Sequence, residues 1–431
     1  MRFSKSFLLI TLAYFALRIL WIFSVPMVEA PDEFSHAWVF QFLKDHARLP
    51  HPAEVYGGGP SAVYGPIPQL GYIPHVLVAS ALFFVEPTLA ARFGSLICGY
   101  VAVVFAYLLG KELFGKEQQA AIALPLMFVF HPQMVLVNAY TNNDSTTCAL
   151  TTATTYMLVR VLKRGLSIKD AVIFGFLLGY TALCKYSGYS IYPAAALALI
   201  LTVIIHRISI VDTLKYVATI SGIALALSGW WFYNTYHDYH GDLLGTKTMR
   251  DIWARTYNRP LEYYQSPSHI IKELRWWRMT AFSYWGMFGY MTRYLYRPLY
   301  FGYLGFMLIS ALAGIKQLVM GMIGLFKKQD LDAAERKERA IERAIWWTFA
   351  TCCIFNIGAM IWASTINLGG AQGRYLFPSE APLMALLVAG LKNVGGKAGR
   401  ILVVSLVVFN ALVAIWAFIW LFPVYGFRVK P

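Results

Sequence analysis

The chain has 431 residues, 58% of them apolar, 16% aromatic and only 14% charged, with a net charge of +15. Soluble domains carry about 25% charged residues, so a water-soluble fold is excluded, and the absence of an alternating pattern excludes a transmembrane barrel. The positive charge is spread over many short segments and forms no continuous groove, which argues against a nucleic-acid partner.

Apolar runs of about 20 residues recur from end to end, the length a helix needs to cross a bilayer. A chain in lipid must also satisfy its own backbone hydrogen bonds. The reading is an all-α, polytopic integral membrane protein with about eleven transmembrane helices, forming one domain over residues 1–431. The first run, 7–25, follows MRFSK and contains Arg18. Its length and that arginine favour a membrane helix over a cleaved signal peptide; Arg18 can face a neighbouring helix or reach the outer surface. Residues 26–90 form a first long outer loop, rich in Pro and Gly, that opens with Asp32, Glu33 and His36 in PDEFSH. Pro-Asp-Glu also has the form of a helix first turn, so the acids can be caps or can carry chemistry. The stretch 70–86 holds Pro74, His75 and Glu86 and is read as lying in the outer interface.

Further spans are read at 91–110, 118–137, 144–162, 170–184, 188–205 and 213–233. Asn142, Asn143 and Asp144 stand at the start of the fourth span, where Asp144 can cap the helix. Lys185 lies in the turn before the sixth, where it can snorkel to the interface. A second long outer loop covers 238–298. Within it Ser266-Pro267 can start a helix with Ile270, Ile271, Leu274, Trp277 and Ala281 on one face and Lys272, Arg275 and Arg278 off it. Such a helix would lie on the outer membrane surface with Trp276 and Trp277 at headgroup depth, as an anchor or a substrate guide. The loop closes on an aromatic run with Arg293 and Arg297. Beyond the span 299–320, KKQDLDAAERKERAIER reads as a solvated helix without chemistry. The spans 344–363, 379–394 and 400–422 complete the chain, and the loop before 379, STINLGGAQGRYLFP, carries Gln372, Arg374 and Tyr375.

Basic residues fix the orientation. With the N-terminus in the cytoplasm, Arg2, Lys5, Lys111, Lys116, Arg160, Lys163, Arg164, Lys169, Arg207, Lys215, the run Lys327 to Arg343, and Lys392, Lys397 and Arg400 all fall inside. The unusual polar residues then gather on the outer face: Asp32, Glu33, His36, Asn143, Asp144, Lys185, Arg293, Arg297, Gln372, Arg374 and Tyr375. Ionisable groups near a bilayer are costly and usually functional, although Arg374 can also simply pair with Glu380. A carboxylate can take a proton from a hydroxyl, Arg and Lys can hold a departing phosphate, and aromatic rings stack on sugars and flank lipid tails. The set suits transfer of a sugar from a lipid phosphate to a hydroxyl. Asp32, Glu33 and Asp144 would hold a hard divalent cation if they converged, but no HExxH or CxxC spacing is present, and no cofactor is expected. Cys98, Cys148, Cys184, Cys352 and Cys353 lie in or beside spans and read as small core residues.

Six segments occur in a familiar order over most of the chain: PDEFSHAWVFQFLKDHARLP, NNDSTTCAL, CKYSGYSIYP, WWFYNTYHDYHGDLLG, FSYWGMFGYM and AQGRYLFPSEAPLMALL. On these the chain resembles the GT-C glycosyltransferases, polytopic enzymes that use polyprenyl-phosphate sugars on the outer face of the membrane. It is most similar to a bacterial branch known mainly as a domain of unknown function. His240 and Leu243 stand where the family often has Tyr and Pro, Tyr233 stands where an Arg often precedes the Asn, here Asn234, and the chain ends without the soluble C-terminal domain of some relatives.

The resemblance implies a GT-C fold with a shared core of about seven N-terminal helices. It also implies a catalytic acid in the first outer loop, by position Asp32 with Glu33 beside it, much like the Asp-Glu pair of protein O-mannosyltransferases. The expected reaction is an inverting transfer with Asp32 as base and Glu33 or His36 orienting it. Arg374 and Lys185, with Arg293 or Arg297, would hold the lipid phosphate, and Asn143, Asp144, Gln372 and Tyr375 would be further substrate contacts. Expected partners are a polyprenyl-phosphate-linked sugar, an envelope glycan such as O-antigen, and membrane lipids. The expected place is the bacterial cytoplasmic membrane with the site on the periplasmic side. Two rival readings share features with this one. A transporter or flippase for lipid-linked sugars needs mid-membrane polar groups and often shows repeated halves, and the sequence has neither. A polysaccharide polymerase or ligase with a long lipid-linked donor would share the outer loops.

Overall fold

The computed structural model describes residues 4–115, 117–256, 258, 265–326, 332–366 and 370–427. Arg2, Lys116, Lys327 and residues 367–369, which entered the readings above, lie outside them. The chain runs from α1 (Lys5–Ser24) through the short helices α2 (Glu33–His46), α3 (Pro52–Gly57) and α4 (Ile73–Ala81) to α5 (Pro87–Phe114). Then come α6 (Gln118–Phe130), α7 (Pro132–Val137), α8 (Asp144–Arg164), α9 (Ile168–Ala182), α10 (Ile191–His206) and α11 (Ile210–Asp238). The second loop contains α12 (Thr246–Thr256), α13 (Pro267–Lys272), α14 (Leu274–Trp285) and a small hairpin of β1 (Met287–Phe288) and β2 (Arg293–Tyr294). The last helices are α15 (Arg297–Phe326), α16 (Ala333–Thr365), α17 (Glu380–Lys392) and α18 (Gly396–Tyr425).

Each of the eleven expected spans is helical, but only seven helices among the described residues are long and apolar enough to cross a membrane: α1, α5, α10 with its preceding turn, α11, α15, α16 and α18. The other four are short, broken or polar. The run 118–137 is divided at His131 because Pro132 follows. Proline lacks an N–H and disfavours helical geometry in the residue before it. The Arg18 guanidinium donates to the freed carbonyls of Phe128 and Val129 at 2.8 Å each and lies over the Tyr14 ring. Arg18 therefore faces a neighbouring helix, not the outer surface. The 15-residue α9 and the 13-residue α17 are short for a crossing. The stretch 70–86 is a single turn followed by the nine-residue α4, also too short.

Helix α8 is the centre of the bundle, packed by α5, α9, α10, α16 and α17. Its threonines leave it outside the helices apolar enough to face lipid, although the sequence reads 144–162 as a span, and it is buried along most of its length. Thr147, Thr151 and Thr155 each donate to the carbonyl four residues back, at 2.8–3.0 Å, so their hydroxyls need no water. By contrast α11 shows Leu214, Val217 and Leu225 on its outer surface, and α15 shows Leu308 and Leu312. Such apolar surface suits hydrocarbon rather than water.

The expected amphipathic helix of the second loop is two helices, because the backbone turns extended at Glu273. Ile270 and Trp276 bury against Met360 of α16, while Ile271, Leu274 and Trp277 stay exposed. The single apolar face read from the sequence is thus split, and Trp276 belongs to the protein interior. Stacked rings, Trp285 on Tyr303 at 3.9 Å and Phe282 on Tyr300 at 4.0 Å, fix α14 to α15.

Candidate active site

At the end of the bundle where α1 ends and α8 begins, five distant segments converge. Asp32 takes the cap position of α2 in a left-handed conformation, φ 60°. One carboxylate oxygen, Oδ2, pairs with Arg374 Nη2, and the other, Oδ1, accepts from the Tyr290 hydroxyl at 3.0 Å. Arg374 sits in the turn Gly373–Ser379 ahead of α17. Gly373 makes that position possible: a Cβ there would meet the Tyr284 backbone nitrogen at 2.1 Å, so only glycine lets α14 and the turn approach so closely. The Arg374 fork also donates to Pro31 O (3.2 Å), the Tyr140 hydroxyl (3.0 Å) and Gln372 Oε1 (2.8 Å).

A second ion pair stands beside the first. Lys185 Nζ donates to Asp144 Oδ1 at 2.7 Å, and Asp144 Oδ2 lies 3.9 Å from Arg374 Nη1. Both cations approach the Tyr375 ring, at 5.3 and 5.5 Å. The helix cap expected of Asp144 is supplied by Asn142, whose side-chain oxygen accepts from Ser145 N at 3.0 Å. Asn143 donates to Cys184 O at 2.9 Å and so ties the start of α8 to the turn carrying Lys185.

Electrostatics separate these groups. Burial opposes ionisation of Asp32, but the Arg374 charge and hydrogen bonds from Arg374 and Tyr290 outweigh it and hold the carboxyl at about 2. Burial pulls the Lys185 ammonium down and Asp144 opposes it. His36 is buried, with Nδ1 hydrogen-bonded to the Tyr72 hydroxyl. Burial and the charges of Lys185 and Arg374 push it well below its ordinary value, so its imidazole is neutral. Three buried polar atoms in this region have no hydrogen-bond partner: His36 Nε2, Asn143 Oδ1 and Asp144 Oδ2. Buried polar atoms are rarely left so, and here they offer unused donors and acceptors.

Other sequence candidates fall elsewhere. Glu33 points away from Asp32 and is fully buried, taking two hydrogen bonds from Arg92 (2.8 and 2.6 Å) and one from Thr141 N (2.9 Å). Arg293 faces Glu29 at 3.6 Å, and Arg297 is exposed at the start of α15 beside Trp416 and Trp420. Arg374 does not pair with Glu380, which is sealed between His131 (2.8 Å) and the Tyr284 hydroxyl (2.7 Å). No group of three or more metal-ligating side chains assembles among the described residues: Glu33 is committed to Arg92 while Asp32 and Asp144 are engaged by Arg374 and Lys185. Sequence reading missed Tyr290 and Tyr140. Both lie in or beside motifs that it quoted, but nothing in a run of aromatic residues distinguishes the one that reaches an acid.

Comparison with known proteins adds a similarity over part of the chain. Residues 72–232 match the family described as dolichyl-phosphate-mannose-protein mannosyltransferase, a segment that holds Asp144 and Lys185 but neither Asp32 nor Arg374. Two crystal structures of ArnT from Cupriavidus metallidurans, one bound to undecaprenyl phosphate and one in the apo state, are similar. Each is 13% identical and covers 99% of this chain and 82% of its own, with TM-scores of 0.44 and 0.43. No curated protein matches the chain. The chain is thus similar to that family over residues 72–232, and its seven helices long and apolar enough to cross a membrane give it a polytopic membrane architecture.

Proposed function

We propose that the protein moves a sugar from a polyprenyl-phosphate donor to a hydroxyl of a cell-envelope glycan, with inversion, at the outer face of the bacterial cytoplasmic membrane. The observation that carries this reading is the Asp32–Arg374 pair, joined across 342 residues and flanked by the second pair of Lys185 and Asp144. Asp32 takes the proton of the acceptor hydroxyl as that oxygen attacks the anomeric carbon. The bond from the anomeric carbon to the phosphate oxygen breaks, and polyprenyl phosphate leaves with its charge held by Arg374 and Lys185. Such fixed charge is usually the largest contribution to transfer reactions. At about 2, the resting Asp32 carboxyl is a weak base. A donor phosphate that draws Arg374 to itself removes the pairing that depresses Asp32 and leaves burial, which raises it, as the larger influence. Binding of donor thereby prepares the base.

The description of the family matched over residues 72–232 names a lipid-phosphate sugar as donor, which agrees with the two cations, Arg374 and Lys185, beside Asp32 and Asp144. Replacing Asp32 by Asn keeps the shape and removes the base. Transfer by the purified Asp32→Asn variant should fall about 10²–10⁴-fold, the loss typical of a missing general base, while donor binding persists. Turnover near that of the unaltered protein would remove Asp32 from the mechanism.

A further inference from the structure

A cavity of about 380 Å³ opens beside the site, between α14 and the chain leading to Arg374, with walls of Glu273, Arg275, Trp276, Met279, Met291 and Gln372. Its volume lies within the range of small-ligand sites, roughly 300–1,000 Å³. Gln372 connects it to the Asp32–Arg374 pair by a hydrogen bond, and Met291 by the chain. Gln372 accepts from Arg374 Nε at 2.8 Å and keeps its amide N–H groups for another partner. Met291 follows Tyr290, whose hydroxyl donates to Asp32 Oδ1 at 3.0 Å. The cavity is thus one residue removed from each side-chain partner of Asp32, and Oδ1 is the oxygen not taken by Arg374. Tyr290 bonds to Oδ1 as an incoming hydroxyl would, from a loop in which Gly289, Tyr290 and Met291 all have positive φ (59°, 53° and 69°). Non-glycine residues held there carry strain.

The lining chemistry separates donor from acceptor. Glu273 and Arg275 make no side-chain ion pair among the described residues, so both are available to a ligand. A carboxylate in the wall disfavours a phosphate, which Arg374 and Lys185 attract instead. A polyhydroxylated ring suits the set instead: Glu273 accepts from its hydroxyls, Arg275 and the Gln372 amide donate to them, and Trp276 and the two methionines cover its apolar face. The Trp276 ring is fixed by its indole N–H on Ser364 Oγ at 3.0 Å.

We propose that this cavity holds the terminal sugar of the acceptor glycan and presents its hydroxyl to Asp32 Oδ1. The inference rests on the transfer reaction proposed above and assigns its second substrate a place. Binding tests it without catalysis. Full-length protein in lipid nanodiscs is titrated calorimetrically with acid-released envelope oligosaccharide of the source cells, and separately with undecaprenyl phosphate. Glu273→Gln keeps the shape and Ala371→Trp, at another residue of the wall, fills the space. Both should weaken the oligosaccharide about tenfold or more, the effect of losing one charge-assisted hydrogen bond or the room to bind, and should leave undecaprenyl phosphate within about twofold. Unchanged oligosaccharide affinity in both variants, or a loss confined to undecaprenyl phosphate, would overturn the assignment. Failure of the transfer reading itself would appear elsewhere, as full turnover by Asp32→Asn.

Discussion

Asp32 and Glu33 are neighbours in sequence and opposites in environment. Glu33 is sealed: both oxygens are filled by Arg92 and Thr141 N, and Arg92 spends its remaining donors on Ile22 O and Val25 O at 2.9 and 2.7 Å. Glu380, between His131 and Tyr284, is sealed in the same way. The Asp32 side chain keeps 24% of its surface exposed, and unsatisfied polar atoms from His36, Asn143 and Asp144 occur in its surroundings. A buried charge whose every lone pair is used holds segments together. A charge pair that is partly open, with unmet hydrogen-bonding capacity nearby, is ready for a ligand. The first kind clamps the end of α1, the start of α5 and the approach to α8; the second joins α2 to the turn ahead of α17.

The sharpest way to break this comparison is to strand Arg92. Glu33→Ala leaves a buried guanidinium without its carboxylate, a change that typically costs about 3–5 kcal/mol. It should abolish stable insertion or lower the melting temperature sharply, as read by thermal denaturation in detergent. A loss below about 1 kcal/mol would make Glu33 no more structural than Asp32.

Arg374→Lys tests the open pair. Lysine is a point charge and cannot reproduce a fork shared by Asp32, Tyr140, Pro31 and Gln372. Transfer efficiency should fall about 10²-fold with a smaller loss of stability, the reverse of the Glu33 pattern. The pH dependence of stability sharpens the contrast further. With its pKa depressed to about 2, against an ordinary value near 4, Asp32 stabilises the fold above about pH 4. That contribution disappears as pH falls through about 2. Between those limits the unaltered protein should lose denaturation midpoint that Asp32→Asn does not lose, in paired acid titrations. The smallest effect is expected at Arg297, exposed and outside both clusters. Arg297→Ala should shift stability by no more than about 0.5 kcal/mol and leave transfer near its original rate.

Much of this was legible in the chain. The helices fall where the apolar runs are, and Asp32, Asp144, Lys185 and Arg374 come together in the structure. Less legible were the features set by packing. Nothing local marks Pro132 as a site that needs Arg18, or Glu273 as the point where one amphipathic pattern becomes two helices. The threonines of α8 do not conflict with its burial, because a hydroxyl that bonds its own helix is polar in composition and nearly apolar in effect.

The sequence by itself determined that the chain is helical and membrane-bound, since the need to bury apolar side chains and pair every backbone amide in lipid is met run by run, within about 20 residues. The tertiary structure alone decided which of two adjacent acids is sealed and which is open. Those partners lie 59 and 342 residues away, and a charge is stabilised or exposed by whatever packs around it, which no local pattern records.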